Sequence, residues 1–116
     1  MSSPTSRSLE YFREADGIAG VVERYNSFSG HKNDLFGFID IVAGYKGCIW
    51  GVQATSASNR AARRKKILEE PLAKEWVKHG GRIMLLTWGK KKRPNVKGTM
   101  QLQWTANEEE IYPDGF

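Results

Sequence analysis

One acid sits inside an apolar run, Asp34-Leu-Phe-Gly-Phe-Ile-Asp40-Ile-Val-Ala-Gly44, and a second run ends in polar side chains, Ile49-Trp-Gly-Val-Gln53-Ala-Thr55-Ser56. A stretch dense in Arg and Lys follows. Carboxylates that hold Mg²⁺ or Mn²⁺, a water to activate and a cation to meet charge on phosphate are the parts that phosphodiester cleavage needs. Asp40 is the first candidate ligand, because a carboxylate buried among Phe38, Ile39, Ile41 and Val42 needs a metal, a cation or an opening to solvent. The plain alternative is an Asp on the solvent face of a half-exposed strand. Asp34 joins Asp40 only if the chain bends at Gly37, since a regular strand separates the two by about 20 Å.

Gln53 and Thr55 share a strand face. The Gln53 amide oxygen and the Ala54 backbone carbonyl are weak oxygen ligands for a hard cation, and Glu23 adds a carboxylate through water if the end of its helix faces the hairpin. Each also has an ordinary reading, Gln53 as a hydrogen-bonding side chain and Glu23 as a surface acid beside Arg24. Asn59, Arg63 and Lys66 fall at helical spacing on one face, and Arg60 opens the same basic segment. Arg63 and Lys66 are candidate phosphate clamps, aided by helix N-terminal amides just after Ser56. Lys90, Lys91, Lys92 and Arg93 read as a hairpin tip that meets a nucleic-acid backbone without reading its sequence. A solvated basic face accounts for both charge runs equally well. The four Trp are core residues on the same footing, with Trp88 and Trp104 flanking the basic hairpin as stacking candidates.

The elements that must position these residues follow from patterning. Leu9, Phe12, Ile18, Val21, Val22 and Tyr25 predict a helix from Ser6 or Ser8 to about Tyr25, weakened at Gly17 and Gly20. Asn26–Asn33 reads as a loop or edge strand, Leu35–Ala43 as a strand, Gly44–Gly47 as a turn and Cys48–Thr55 as its hairpin partner. Ser56 or Ser58 caps a helix to Glu69 or Glu70, and Pro71 opens a continuation ending at His79-Gly80-Gly81. Arg82–Trp88 is an internal strand, Gly89–Lys97 a basic loop and Gly98–Thr105 a half-buried strand at an exposed edge. The order predicts an α/β sandwich with a mixed sheet, as one domain over residues 1–116.

Composition narrows the setting. The chain has 116 residues and a net charge of +5. Thirteen Lys or Arg face three acids between Arg60 and Lys97, whereas five cations face ten acids elsewhere. That asymmetry suits a polyanion partner. One Cys and two His exclude a zinc site built from Cys and His. With Cys48 alone no internal disulfide forms, and no apolar run has membrane-spanning length, so an intracellular, cytoplasmic protein without a membrane partner is expected.

The segments Ile39-Asp40-Ile-Val-Ala and Gly51-Val-Gln53-Ala-Thr55-Ser resemble the PD-(D/E)xK nuclease superfamily, in particular small phage-type proteins related to Holliday-junction resolvases and VRR-NUC nucleases. The resemblance covers roughly Glu23 to Trp88. It implies a restriction-endonuclease-like αβββαβ fold, Mg²⁺ or Mn²⁺ as cofactor, DNA as substrate, branched DNA included, and a bacterial host for a phage-encoded chain. It also implies that Asp40 is the metal-binding aspartate and Glu23 the first-helix glutamate. Gln53 and Thr55 stand where the second acid and the lysine usually stand, and Ile39 replaces the proline. Lys66, with Lys65 the other candidate, would then supply the lysine from the following helix. Two readings stay open: a metal-dependent endonuclease, in which Asp40, Gln53, Lys66 and Glu23 are catalytic, and an inactive nucleic-acid-binding module on the same fold. A homodimer through the Gly98–Trp104 edge would give two sites on a duplex.

Overall fold

The first helix starts earlier and stops sooner than its apolar pattern predicts. In the computed structural model, which describes residues 3–113, α1 spans Pro4–Glu14. Ser3, rather than Ser6 or Ser8, is the cap, and it exchanges bonds with Ser6 in a capping box while Pro4 occupies the first turn. After Glu14 the backbone turns left-handed at Asp16 (φ 61°). Gly17 then passes so close to the next strand that a Cβ there would lie 2.6 Å from the Gly44 carbonyl oxygen. The chain leaves as β1, Ile18–Val21, with Ile18 and Val21 exposed. The expected buried stripe is therefore confined to Leu9 and Phe12 within α1, and Glu23 belongs to the link after β1 rather than to a helix. Expectations for residues 1–2, 114–116 and the side chain of Tyr25 lie outside the described residues.

A two-stranded ribbon follows, β2 (Arg24–Asn26) with β3 (His31–Asn33). The predicted strand over Leu35–Ala43 is mostly turn. Phe36 and Gly37 take positive φ, Leu35 donates its N–H to the Ile39 carbonyl oxygen at 2.8 Å, and only Ile41–Tyr45 forms β4. Phe38 and Ile39 are fully buried by this fold-back instead of by strand pairing. Lys46 and Gly47, both at positive φ, then make the two-residue reversal into β5, Cys48–Ser56.

A short 3₁₀ turn over Ala57–Asn59 precedes α2, Arg60–Glu69. Neither Ser56 nor Asn59 makes a side-chain capping bond there, so the capped α-helix expected after Ser56 or Ser58 is replaced by this uncapped entry. Glu70 caps α3, Pro71–Lys78, through the Leu72 amide. Strand β6 runs from Arg82 to Pro94 and β7 from Met100 to Glu110. The basic segment Lys90–Arg93 is thus paired strand rather than loop, and the reversal lies at residues 95–99, where Asn95 Oδ1 accepts from the Lys97 and Thr99 amides.

The sheet order is β1-β4-β5-β6-β7, with β5 and β6 parallel and the other pairs antiparallel. The class is mixed α/β, as expected. One face carries Phe12 of α1 against Ile41, Val52, Met84, Leu86 and Trp88, and the other carries Ile67 of α2 and Ala73 of α3 against Ile83 and Leu85. Strands β1 and β7 are the sheet edges. No helix among the described residues is long and apolar enough to cross a membrane.

Candidate functional site

Register decides where the polar residues go. Ile41 pairs with Val52, and the Asp40 N–H donates to the Val52 carbonyl oxygen at 3.0 Å. Asp40 therefore sits opposite Gln53, on the same side of the sheet. Beyond this point β4 leaves β5, and the Asp40 carboxylate takes the vacated bonding positions. It accepts from the Ala54 N–H, at 3.2 Å to Oδ2, and from Gln53 Nε2 at 3.1 Å. The N–H and C=O of one strand residue point the same way, so the Ala54 carbonyl lies on the same edge of β5 as its bonded N–H.

Two further acids arrive by backbone routes. The Val22 N–H donates to the Asp40 carbonyl oxygen at 3.0 Å, which sets Glu23 beside the start of β4. The bend at Phe36-Gly37 folds Asp34 back. Carboxylate oxygens of Glu23, Asp34 and Asp40 all lie within 4.8 Å of one another. Lys66 Nζ reaches Asp34 Oδ2 at 3.0 Å from α2. These groups, with Gln53, Ala54, Thr55, Arg63 and the first α1 residues Pro4 and Thr5, wall a cavity of about 320 Å³.

The cluster is electrostatically loaded. Asp40 is 4% exposed, and burial first, then the charges of Asp34 and Glu23, push its carboxyl up to about 7 against the opposing Ala54 N–H. Gln53 is equally buried, and its Oε1 has no hydrogen-bond partner among the described residues. A buried acceptor left unpaired costs about 1–3 kcal/mol. A hard divalent cation fits this donor set, since it takes carboxylate and amide oxygens and offsets the mutual repulsion of three acids.

The sequence-derived candidates divide clearly. Asp40, Gln53, Ala54, Glu23, Lys66 and Arg63 meet in one cavity, and Thr55 is part of its wall. Lys65 faces away, with its ammonium 3.9 Å from Glu69. Asn59 lies outside the walls and donates to Ser56 Oγ at 3.1 Å. Arg60 is turned to Glu109, which also takes Arg64 at 2.8 Å. Lys90, Lys91, Lys92 and Arg93 belong to the β6–β7 ribbon and line no part of this cavity. Amides expected from the helix after Ser56 are absent from the walls, and Pro4 and Thr5 of α1 stand there instead. Their place follows from packing of α1 across the sheet, for which the local sequence carries no signal. A larger cavity of about 450 Å³, between Phe36, Leu72 and Trp76, is apolar and offers only Glu75 and His79 as titratable walls.

Compared with known proteins, the chain finds no counterpart: no protein-family model, no curated protein and no solved structure matches it.

Proposed function

We propose that the chain is a Mg²⁺- or Mn²⁺-dependent phosphodiesterase that hydrolyses DNA, branched DNA included, on a PD-(D/E)xK-type core. The observation that carries this reading is the convergence of Glu23, Asp34 and Asp40 within 4.8 Å beside the unpartnered Gln53 Oε1, with Arg63 and Lys66 on the same cavity. The succession α1, β1, β4, β5, α2 and β6, an antiparallel meander followed by a helical crossover to a parallel strand, agrees with an αβββαβ core.

Asp40, Asp34, Glu23, Gln53 Oε1 and the Ala54 carbonyl would hold the cation. Bound there, it would polarise a phosphate oxygen and acidify a coordinated water. The remaining work falls to side chains of this chain. Lys66, anchored on Asp34, stands to donate to the attacking water or to a phosphate oxygen as its charge grows. Arg63 stands to grip a neighbouring phosphate. Hydrolysis forms one P–O bond from water and breaks the P–O bond to a sugar oxygen, which leaves with a proton.

The second reading, a binding module without activity, is favoured by one observation. Gln53 Nε2 bonds Asp40 Oδ2 at 3.1 Å, and that contact supports the carboxylate with no cation present. Incubation with labelled linear, single-stranded and branched DNA in Mg²⁺, Mn²⁺ or EDTA separates the two. Metal-dependent cutting that Asp40→Ala abolishes supports the enzyme. A gel shift without cutting in any metal supports the binder, and full activity in Asp40→Ala removes the site assignment.

A further inference from the structure

The core face beneath α1 continues past the helix. Strand β5 leaves β6 at Trp88, so from Gly89 outward β6 and β7 pair only with each other. On the α1 side of this ribbon the row Trp88 and Ala106 continues as Trp104, Leu102 and Met100. Arg7 lies over Trp104, its guanidinium carbon 3.7 Å from the ring centroid. Beyond that contact Leu102 and Met100 are each 58% exposed, and Trp104 is 45% exposed. Register sets Lys90 beside Trp104 and Lys92 beside Leu102, with the Lys90 ammonium 5.0 Å from the indole. Between Gly89 and Thr105 the chain has five cations and no acid.

We propose that this ribbon binds unpaired nucleic-acid bases, with Trp104 and Leu102 against base faces and Lys90 and Lys92 on the flanking phosphates. The inference rests on the nucleic-acid partner argued above and adds to it a preference for single-stranded or unpaired segments. Lys90 and Lys92 share the face with Trp104 and Leu102, Lys91 alternates to the other face of the ribbon, and Arg93 lines the cavity beside Trp104 with Glu10 and Glu14 of α1, so the ribbon itself carries the cationic excess that suits a polyanion. A fully paired backbone needs no apolar row, whereas exposed bases do. Alternate residues on a strand lie about 6.8 Å apart, twice the rise of stacked bases, so the row suits bases already parted from the stack. A second copy on this face would set like charges against each other, and three apolar residues are a small anchor for a lipid surface.

The test is anisotropy binding in EDTA, where cutting is absent, with a fluorescent 20-base single strand and the matching duplex. Leu102→Ser is the main variant, because Leu102 lies outside both buried clusters. Trp104→Ala is the second, and Trp104→Phe is the conservative control. Trp104→Ala is expected to weaken single-strand binding about 5- to 150-fold, and Leu102→Ser, which loses an aliphatic contact, about 5-fold. Duplex binding should change by less than about twofold, since phosphate contacts are retained. Trp104→Phe should keep most of the affinity. Equal losses on both DNAs, or no loss on either, overturn the proposal. So does binding of anionic vesicles in preference to DNA, or a wild-type dimer at this face that Leu102→Ser dissociates. Failure here with metal-dependent cutting intact leaves the nuclease reading standing, and selective single-strand loss in a protein that cuts nothing leaves this one standing.

Discussion

Lys66 of α2 holds Asp34 across the cavity, Nζ to Oδ2 at 3.0 Å, and so ties the basic helix to the turn that completes the acid cluster. Thr55 and Lys66 line the same cavity, so on the proposed nuclease reading the helix would supply the lysine that the strand lacks. The pair is 40% and 12% exposed on its two sides, so its worth to stability is small, about 1 kcal/mol or less. Lys66→Met should therefore lower the melting temperature by no more than about 5 °C. Metal-dependent cutting should fall about 10²- to 10⁴-fold, the range for losing a positioned proton-transfer group. Single-turnover rates beside a thermal melt check both, and a rate within threefold of wild type removes Lys66 from the chemistry.

Asp40 makes the metal-free protein sensitive to pH. Its carboxyl is raised from 3.8 to about 7, so between those values the folded chain binds more protons than the unfolded one. Stability from this group is full below about pH 4 and falls as pH rises toward 7. The loss should be on the order of a few kcal/mol by pH 8. Asp40→Asn should flatten that fall. Urea unfolding in EDTA from pH 4 to pH 8, read as wild type minus variant, measures it. Mn²⁺ should stabilise wild type increasingly as pH rises, because the ligand must be ionised.

Gln53→Glu would place a fourth acid in the cluster. Without metal the variant should melt lower than wild type, since a buried like charge is added beside Asp40. With Mn²⁺ it should gain more than wild type gains, because an anionic oxygen replaces an amide. Thermal melts over a Mn²⁺ titration check the crossing, and parallel shifts in the two proteins would place Gln53 away from the cation.

Gly17 gives a test whose sign separates two folds. Inside a helix, Gly17→Ala would stabilise by about 1 kcal/mol. Here the added Cβ would meet the Gly44 carbonyl oxygen at 2.6 Å, and backbone cannot swing aside as a side chain does. The variant should lose about 1–3 kcal/mol in a urea midpoint measurement.

The second limb of the hairpin, the two-helix crossover and the internal strand were legible because β5, α3 and the first half of β6 follow their own hydrophobic periods, whereas of the predicted first limb only Ile41–Ala43 is strand. The long first helix was not, because Ile18, Val21 and Val22 match helical spacing by chance while the close crossing at Gly17 is a tertiary event. At the site, Asp40 and Gln53 were readable from neighbouring strands. Asp34 depended on a bend at Gly37, and that condition is met: Gly37 takes φ 82°, while the positive φ of Phe36 (55°) beside it carries no signal in the sequence. Glu23 reads in sequence as the end of a helix, and in the structure it reaches the cluster from the link between β1 and β2. Its arrival rests on the Val22 to Asp40 backbone bond, which pattern reading does not see.

The parallel pairing of β5 with β6 also governs how the chain comes together. Trp50 waits for Arg82, and until α2 and α3 have closed that span, one edge of β5 stands open along an apolar segment. Such an edge is a template for a neighbouring chain in a crowded cell. The intervening helices are dense in Lys and Arg, so nascent copies repel one another during that interval. The positive charge of α2 would thereby disfavour self-association while the chain is being made, whatever partner the finished protein meets.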